Sequence, residues 1–169
     1  MSEAYQVIFN SQGSNVINSN AGKTSVVYNV NWGAFLPKKY KKFHCQFVFK
    51  SQNHAGNLTD NGFVNMNIGR VSVFDGQQMS TNLGIVYPVI LVANTLAYYC
   101  STNNDNNEFW IDYPINSTVT VTLNTFAGTA MTNMQHYVIM MNLVGIEDHE
   151  SLGIAYEDTK RGSHFLSGN

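Results

Sequence analysis

Charge is scarce in this chain. Asp, Glu, Lys and Arg make up 12% of its 169 residues, about half of the roughly 25% usual in soluble proteins. Nine bases against eleven acids leave a net charge of −2, so no strong field draws nucleic acid or an anionic membrane toward it. Cysteine is scarcer still, with Cys45 and Cys100 alone, too few for a disulfide framework. Both stand in apolar, strand-like surroundings, where buried free thiols of a reducing compartment are expected rather than a bridge. No stretch approaches the roughly 18 apolar residues of a membrane helix. The longest apolar run, residues 85–97, is interrupted by Pro88 and reads as strand. Residues 1–10 have no basic start and only a short apolar run, so no secretory signal is expected.

Catalytic spacing is missing as well. The five histidines, His44, His54, His136, His149 and His164, form neither H-x-H nor H-E-x-x-H, and no other metal-ligand spacing is present. That excludes a cupin-type metal centre. No nucleophile elbow or Gly-rich phosphate loop occurs. The acid pairs Glu147-Asp148 and Glu157-Asp158 lie in a polar tail, not in the apolar cleft that acid–base tuning needs. Residues 103–108 (NNDNNE) are rich in oxygen ligands but lack the spacing of a calcium loop, and read as a solvated hairpin tip. We therefore expect no enzyme, no metal and no cofactor.

What is present is apolar bulk and neutral polarity. Hydrophobic residues reach 44% and aromatics 12%, enough for one folded domain with its own core. The polar remainder is dominated by uncharged residues, 22 of them Asn, with Ser and Gly favouring turns and Thr favouring strands. Such a surface has little charge repulsion and suits packing against copies or neighbours, whereas a free cytosolic enzyme carries more Lys and Glu.

Alternation with period two runs through the chain. Phe43, Cys45, Phe47 and Phe49 share one face of residues 40–50, opposite His44, Gln46 and Val48. Val119, Val121 and Leu123 alternate with threonines over 117–126. Over 63–74, Val64, Met66 and Ile68 share a face until Gly69, where a bulge or bend is expected, and Val71 and Val73 resume the alternation. Further strands are expected over 4–10, 23–30, 85–91, 95–100, 108–113 and 135–144. The last is almost wholly apolar, as in a strand covered on both faces; a buried helix is its rival, but its β-branched and aromatic content favours strand. Eight or nine strands, Gly/Asn turns and no convincing helical stripe predict an all-β fold. An eight-stranded antiparallel jelly-roll β-sandwich over residues 1–146 fits best, followed by an acidic, polar C-terminal arm over 147–169.

Several clusters are candidate contact sites. The arm holds Glu147, Asp148, Glu157 and Asp158, with Phe165 among its few apolar anchors; it packs along its own domain or lies on neighbouring subunits. Lys38, Lys39, Lys41 and Lys42 surround Tyr40. They read as guards of a strand edge, as a patch for nucleic acid or an acidic partner, or as the counterpart of a neighbour's acidic arm. Trp32 and Trp110 have aromatic neighbours; they fill a core or interface, or stack on sugar rings or bases.

In strand count, scarcity of charge and phrases such as FVNMNIGRVSVFDG and STVTVTLNTF, residues 1–146 resemble single jelly-roll structural proteins of viruses. The likeness is to penton, minor capsid or vertex proteins of large eukaryotic double-stranded DNA viruses and their virophages. It implies a non-enzymatic shell component in the virion, assembled in the host cytoplasm, meeting copies of itself and other capsid proteins. The competing expectation is a carbohydrate- or receptor-binding jelly-roll head, of spike or lectin type. Neither a membrane span nor a specific nucleic-acid partner is expected.

Overall fold

A segment that alternates branched apolar residues with threonines has to bury one face and wet the other, and a sheet does both. The computed structural model describes residues 3–51, 62–68, 73–74, 79–80, 82–92, 96–100, 108–131, 134 and 136–147. They form β1 (Ala4–Asn10), β2 (Val16–Ser19), β3 (Ser25–Asn29), β4 (Tyr40–Ser51), β5 (Gly62–Met66), β6 (Val73–Phe74), β7 (Met79–Ser80), β8 (Asn82–Val92), β9 (Leu96–Cys100), β10 (Glu108–Asp112), β11 (Thr118–Thr125) and β12 (Tyr137–Glu147). A 3-10 turn at Trp32–Ala34 is the only helical turn among the described residues. The expected all-β class is what forms, and the apolar segment after residue 135 is a strand.

Two antiparallel sheets account for nearly all of these strands. In the first, β12 lies between β1 and β4, and β4 meets β10 and β9 on its other side. In the second the order is β2, β3, β11, β5, β8. The long β8 belongs to both. Its first half, up to Val86, pairs with β5, and from Tyr87 onward it pairs with β9. Pro88 sits just past that change of partner, where one fewer backbone donor is tolerated. A strand that leaves one sheet for another makes the corner of a sandwich-like fold.

The core fills the space between the sheets. Phe43, Cys45, Phe47 and Phe49 of β4 and Tyr137, Ile139, Met141 and Leu143 of β12 are buried from one side. Val26, Tyr28, Val64, Met66, Val119, Val121 and Leu123 come from the other. The expected phases of β4, β5 and β11 are therefore correct, with the threonines of β11 pointing outward. Aromatic contacts lock the layers: Phe9 meets Tyr28 edge-on at 5.2 Å between ring centres, in the favoured range for such pairs. The Tyr28 and Tyr137 hydroxyls approach to 3.4 Å across the core.

Three expectations need adjusting. Four-residue β2 and two-residue β7 are strands beyond the eight or nine expected, while β6 falls where the alternation is expected to resume after Gly69. In β2 the apolar Ile17 points outward, so the segment carries no inside–outside signal. β12 is not covered on both faces: Asn142 is exposed, and Val138, Met140 and Val144 are half-buried. Near the end of β12, Gly145 lies against the Tyr40 ring so closely that a Cβ would stand 2.5 Å from it. The register then shifts between Ile146 and Glu147, setting Glu147 opposite Tyr40. Gly69 and residues 148–169 lie outside the described residues.

Val121 is fully buried and cross-strand from both Val26 and Met66. Val121→Asp places an unpaired carboxylate there and is expected to cost about 3 kcal/mol or more. Urea denaturation checks this; a variant as stable as wild type would mean the phase of β11 is wrong.

Candidate functional site

A cleft of about 510 Å3 opens at one end of the fold. Asn29, Asn31, Lys38, Tyr113, Ile115 and Ser117 are among its lining residues. The wall is set by backbone locks. The Val30 amide donates to the Ser117 carbonyl at 2.7 Å, and the Tyr113 hydroxyl donates to the Leu36 carbonyl at 3.0 Å. Lys38 is the one formally charged side chain among the described lining residues. Such a wall offers amides, a hydroxyl and one ammonium, a set suited to holding a neutral or anionic group. It does not pair an acid with a base.

Trp32 borders this cleft but does not offer it a ring face. The residue is 3% exposed, and its Nε1 donates to the Asn116 carbonyl at 2.9 Å. The expectation that Trp32 stacks on a ligand is corrected: the indole is a core residue that pins the 113–117 loop. Trp110 is different. It stands on the outer face of β10, 43% exposed, with the His44 ring centre 5.0 Å away. His44 Nε2 in turn lies 3.5 Å from a Glu108 carboxylate oxygen.

The lysines sit at the start of β4, a strand with neighbours on both sides. They guard no sheet edge, which corrects that reading of the cluster. Lys38 faces the cleft. Lys39 Nζ bonds the Glu3 carboxylate at 3.3 Å and lies 4.7 Å from the centre of the Tyr40 ring. Lys41 and Lys42 are exposed. Lys42 is cross-strand from Asp112 and Ile146. Because Glu147 is set opposite Tyr40, the fold brings the backbone of that first arm acid to the lysine run. Asp148, Glu157, Asp158 and Phe165 lie outside the described residues.

The two outer sheet faces differ in chemistry. β2, β3, β5, β8 and β11 contain no charged residue at all. Outward from β3, β11 and β5 point Ser25, Val27, Thr120, Thr122 and Asn65. The first sheet instead shows cross-strand rows. Ala4, Val144, His44 and Trp110 form one row. Gln6, Asn142, Gln46 and Glu108 form the next, with Gln6 Nε2 donating to Asn142 Oδ1 at 2.9 Å. Ile8, Met140 and Val48 form a third. The exposed Ile8 and Ile115 gave no sequence signal, because exposure of one branched residue breaks no period.

Buried ionisable groups are held neutral. Burial pushes the Cys45 thiol up to about 12, so it carries no thiolate at neutral pH and is a poor nucleophile. Burial likewise raises Tyr28 to about 12 and Tyr137 further still. At the surface, a hydrogen bond from Tyr5 and then Lys39 hold the Glu3 carboxyl below its usual value, and the same bond raises Tyr5. The described residues hold no group of His, Cys, Asp and Glu that could bind a metal ion. No described helix is long and apolar enough to cross a membrane.

No protein-family model matches the sequence, and no curated protein matches it either.

Raised thiol and phenol pKa values mean that unfolding favours deprotonation. The stability they support is complete below the unfolded pKa values and is lost as pH climbs toward the folded ones. The urea midpoint is therefore expected to fall from about pH 9, where an unfolded thiol ionises, through about pH 12. A flat midpoint across that window would contradict the burial of Cys45, Tyr28 and Tyr137.

Proposed function

We propose that the chain is a non-enzymatic structural subunit of a virus particle, a jelly-roll protein of the minor-capsid or penton type. It assembles in the host cytoplasm with copies of itself and with neighbouring capsid proteins. The jelly-roll reading is supported by pairing order. A jelly roll is one long antiparallel hairpin of eight strands wound into two sheets. Taking β1, β3, β4, β5, β8, β10, β11 and β12 as its strands, first pairs with last (β1·β12) and second with seventh (β3·β11). Third pairs with sixth (β4·β10) and fourth with fifth (β5·β8).

The observation that carries the structural role is the distribution of charge. Five strands contribute none to the second sheet, and its outward residues are hydroxyls, amides and apolar groups, Ile17 and Phe63 among them. Amides and hydroxyls can be covered by a neighbour and paired with it at far lower desolvation cost than ions. Closely spaced copies of such a face do not repel one another. The lysine run beside Glu147 supplies a charged contact at a different place, suited to an acidic segment of another subunit.

Light scattering and cryo-microscopy of the purified chain test this reading. Self-association is expected, and Thr122→Lys in the middle of the neutral face is expected to weaken it about tenfold or more while the melting temperature stays within a few degrees. A chain that remains solitary at high concentration, alone and with its particle neighbours, would refute the proposal.

A glycan- or receptor-binding head is the second reading, favoured by the exposed Trp110 indole on an open sheet face. Glycan-array binding that is lost on Trp110→Ala would favour it over the shell subunit.

A further inference from the structure

Sheet edges attract other strands unless they are short, charged, bulged or covered. Three edge strands can be compared. β10 carries Glu108 and Asp112 in five residues. β2 has four residues and a register shift against β3. β1 has neither protection. Its sequence AYQVIFN has no charge and no proline, and it runs in unbroken register with β12 from Ala4 to Asn10. Among the described residues no strand lies on its other side.

The direction of its backbone groups follows from two bonds at the ends of the ladder. The Glu3 carbonyl accepts from the Gly145 amide at 3.1 Å, and the Ser11 amide donates to the Tyr137 carbonyl at 3.0 Å. Odd-numbered residues therefore turn their N–H and C=O toward β12, and Ala4, Gln6, Ile8 and Asn10 turn theirs outward. Only the Asn10 carbonyl among these has a partner outside the ladder, the Gly13 amide at 2.8 Å.

We infer that β1 is a homotypic docking edge, which pairs antiparallel with β1 of a second copy about a two-fold axis through Val7. That register sets Gln6 against the partner's Ile8 and Ala4 against the partner's Asn10. Every pair joins outward-facing residues, as an antiparallel ladder requires. On the core side Val7 meets its own counterpart, and Tyr5 is set opposite the position of the partner's Phe9. On the outer side the exposed Ile8 meets the stem of Gln6. No like charges face each other. The strand is thus self-complementary under the one symmetry that an isologous contact allows. The first sheets of two subunits become one continuous sheet. The inference rests on the reading of the chain as an assembling subunit and names one contact within it.

Sedimentation and amide hydrogen exchange of the full chain test it. Wild type is expected to form dimers in which the Gln6 and Ile8 amides exchange at least tenfold more slowly than in dilute monomer. Gln6→Pro removes an outward backbone donor together with the side-chain bond to Asn142, leaving the β1·β12 ladder bonds in place, and Ile8→Lys puts a charge at the edge. Both are expected to shift the population to monomer, while Ile17→Lys on the exposed part of β2 leaves the dimer intact. Dimers that survive both β1 variants would overturn the inference. So would larger assemblies in which the Gln6 and Ile8 amides still exchange freely, although the subunit reading would then stand. Slow exchange that is independent of concentration, and is released by deleting residues 148–169, would mean that the chain's own arm covers β1 instead. If a β1 variant fails to fold, the wild-type exchange measurement still decides. A wild type that is monomeric under all conditions sinks both readings.

Discussion

The fold depends on β12 lying between β1 and β4. Both ladders are long: β12 is in register with β1 from Val138 to Val144 and with β4 from Tyr137 to Ile146. The side-chain period is two, so a slip of one residue on either ladder would turn Ile139, Met141 and Leu143 out of the core and bring Met140 and Asn142 in. The close seat of Gly145 on Tyr40 removes a further freedom, because a bulkier residue there would strike a ring that cannot yield. With β12 fixed, β1, β4 and β12 are held together, and the second sheet closes over their apolar face.

That closure decides what chemistry is left for the surface. Cys45, Tyr28 and Tyr137 are inside and neutral, tied up in packing and in one hydroxyl contact. Most of the ions are on one sheet: Glu3 with Tyr5 and Lys39, His44 with Glu108, and Lys41 and Lys42 at the start of β4; Lys23, in the turn between β2 and β3, bonds Ser19 on the other. The other sheet turns hydroxyls, amides and a few apolar groups to its surroundings. The molecule has two unlike sides, and contacts made through them differ in their dependence on salt: a charged contact weakens as ionic strength rises, and a neutral one does not.

Much of this was readable in the sequence, where local alternation meets a single buried face. Val119, Val121 and Leu123 among threonines, and Phe43 to Phe49 along β4, declared their phase because the residues themselves differ in polarity. Val16–Ser19 did not, since its exposed residue is isoleucine and its pairing depends on β3. The position of β4 inside its sheet was also illegible. Lysines near a strand look the same at an edge and in the centre, and the difference lies in β10 and β12, distant in the chain. Trp32 followed the same rule. Nothing in NWGAF fixes which way the indole turns; the deciding partner is the Asn116 carbonyl, supplied by a loop more than eighty residues away. The rows on the first sheet, and the contrast between β1 and the better-protected edges, exist only once non-local strands are aligned.

The pairing of β1 with β12 has a mechanical consequence. The start of β1 and the end of β12 leave the sheet at the same corner, joined by the bond from the Gly145 amide to the Glu3 carbonyl. Antiparallel rungs run perpendicular to their strands. Tension applied between those two points would therefore load the rungs one after another, like a zip fastener, instead of shearing them all at once. A body built this way yields readily to a pull at that corner and resists one applied along the length of its strands.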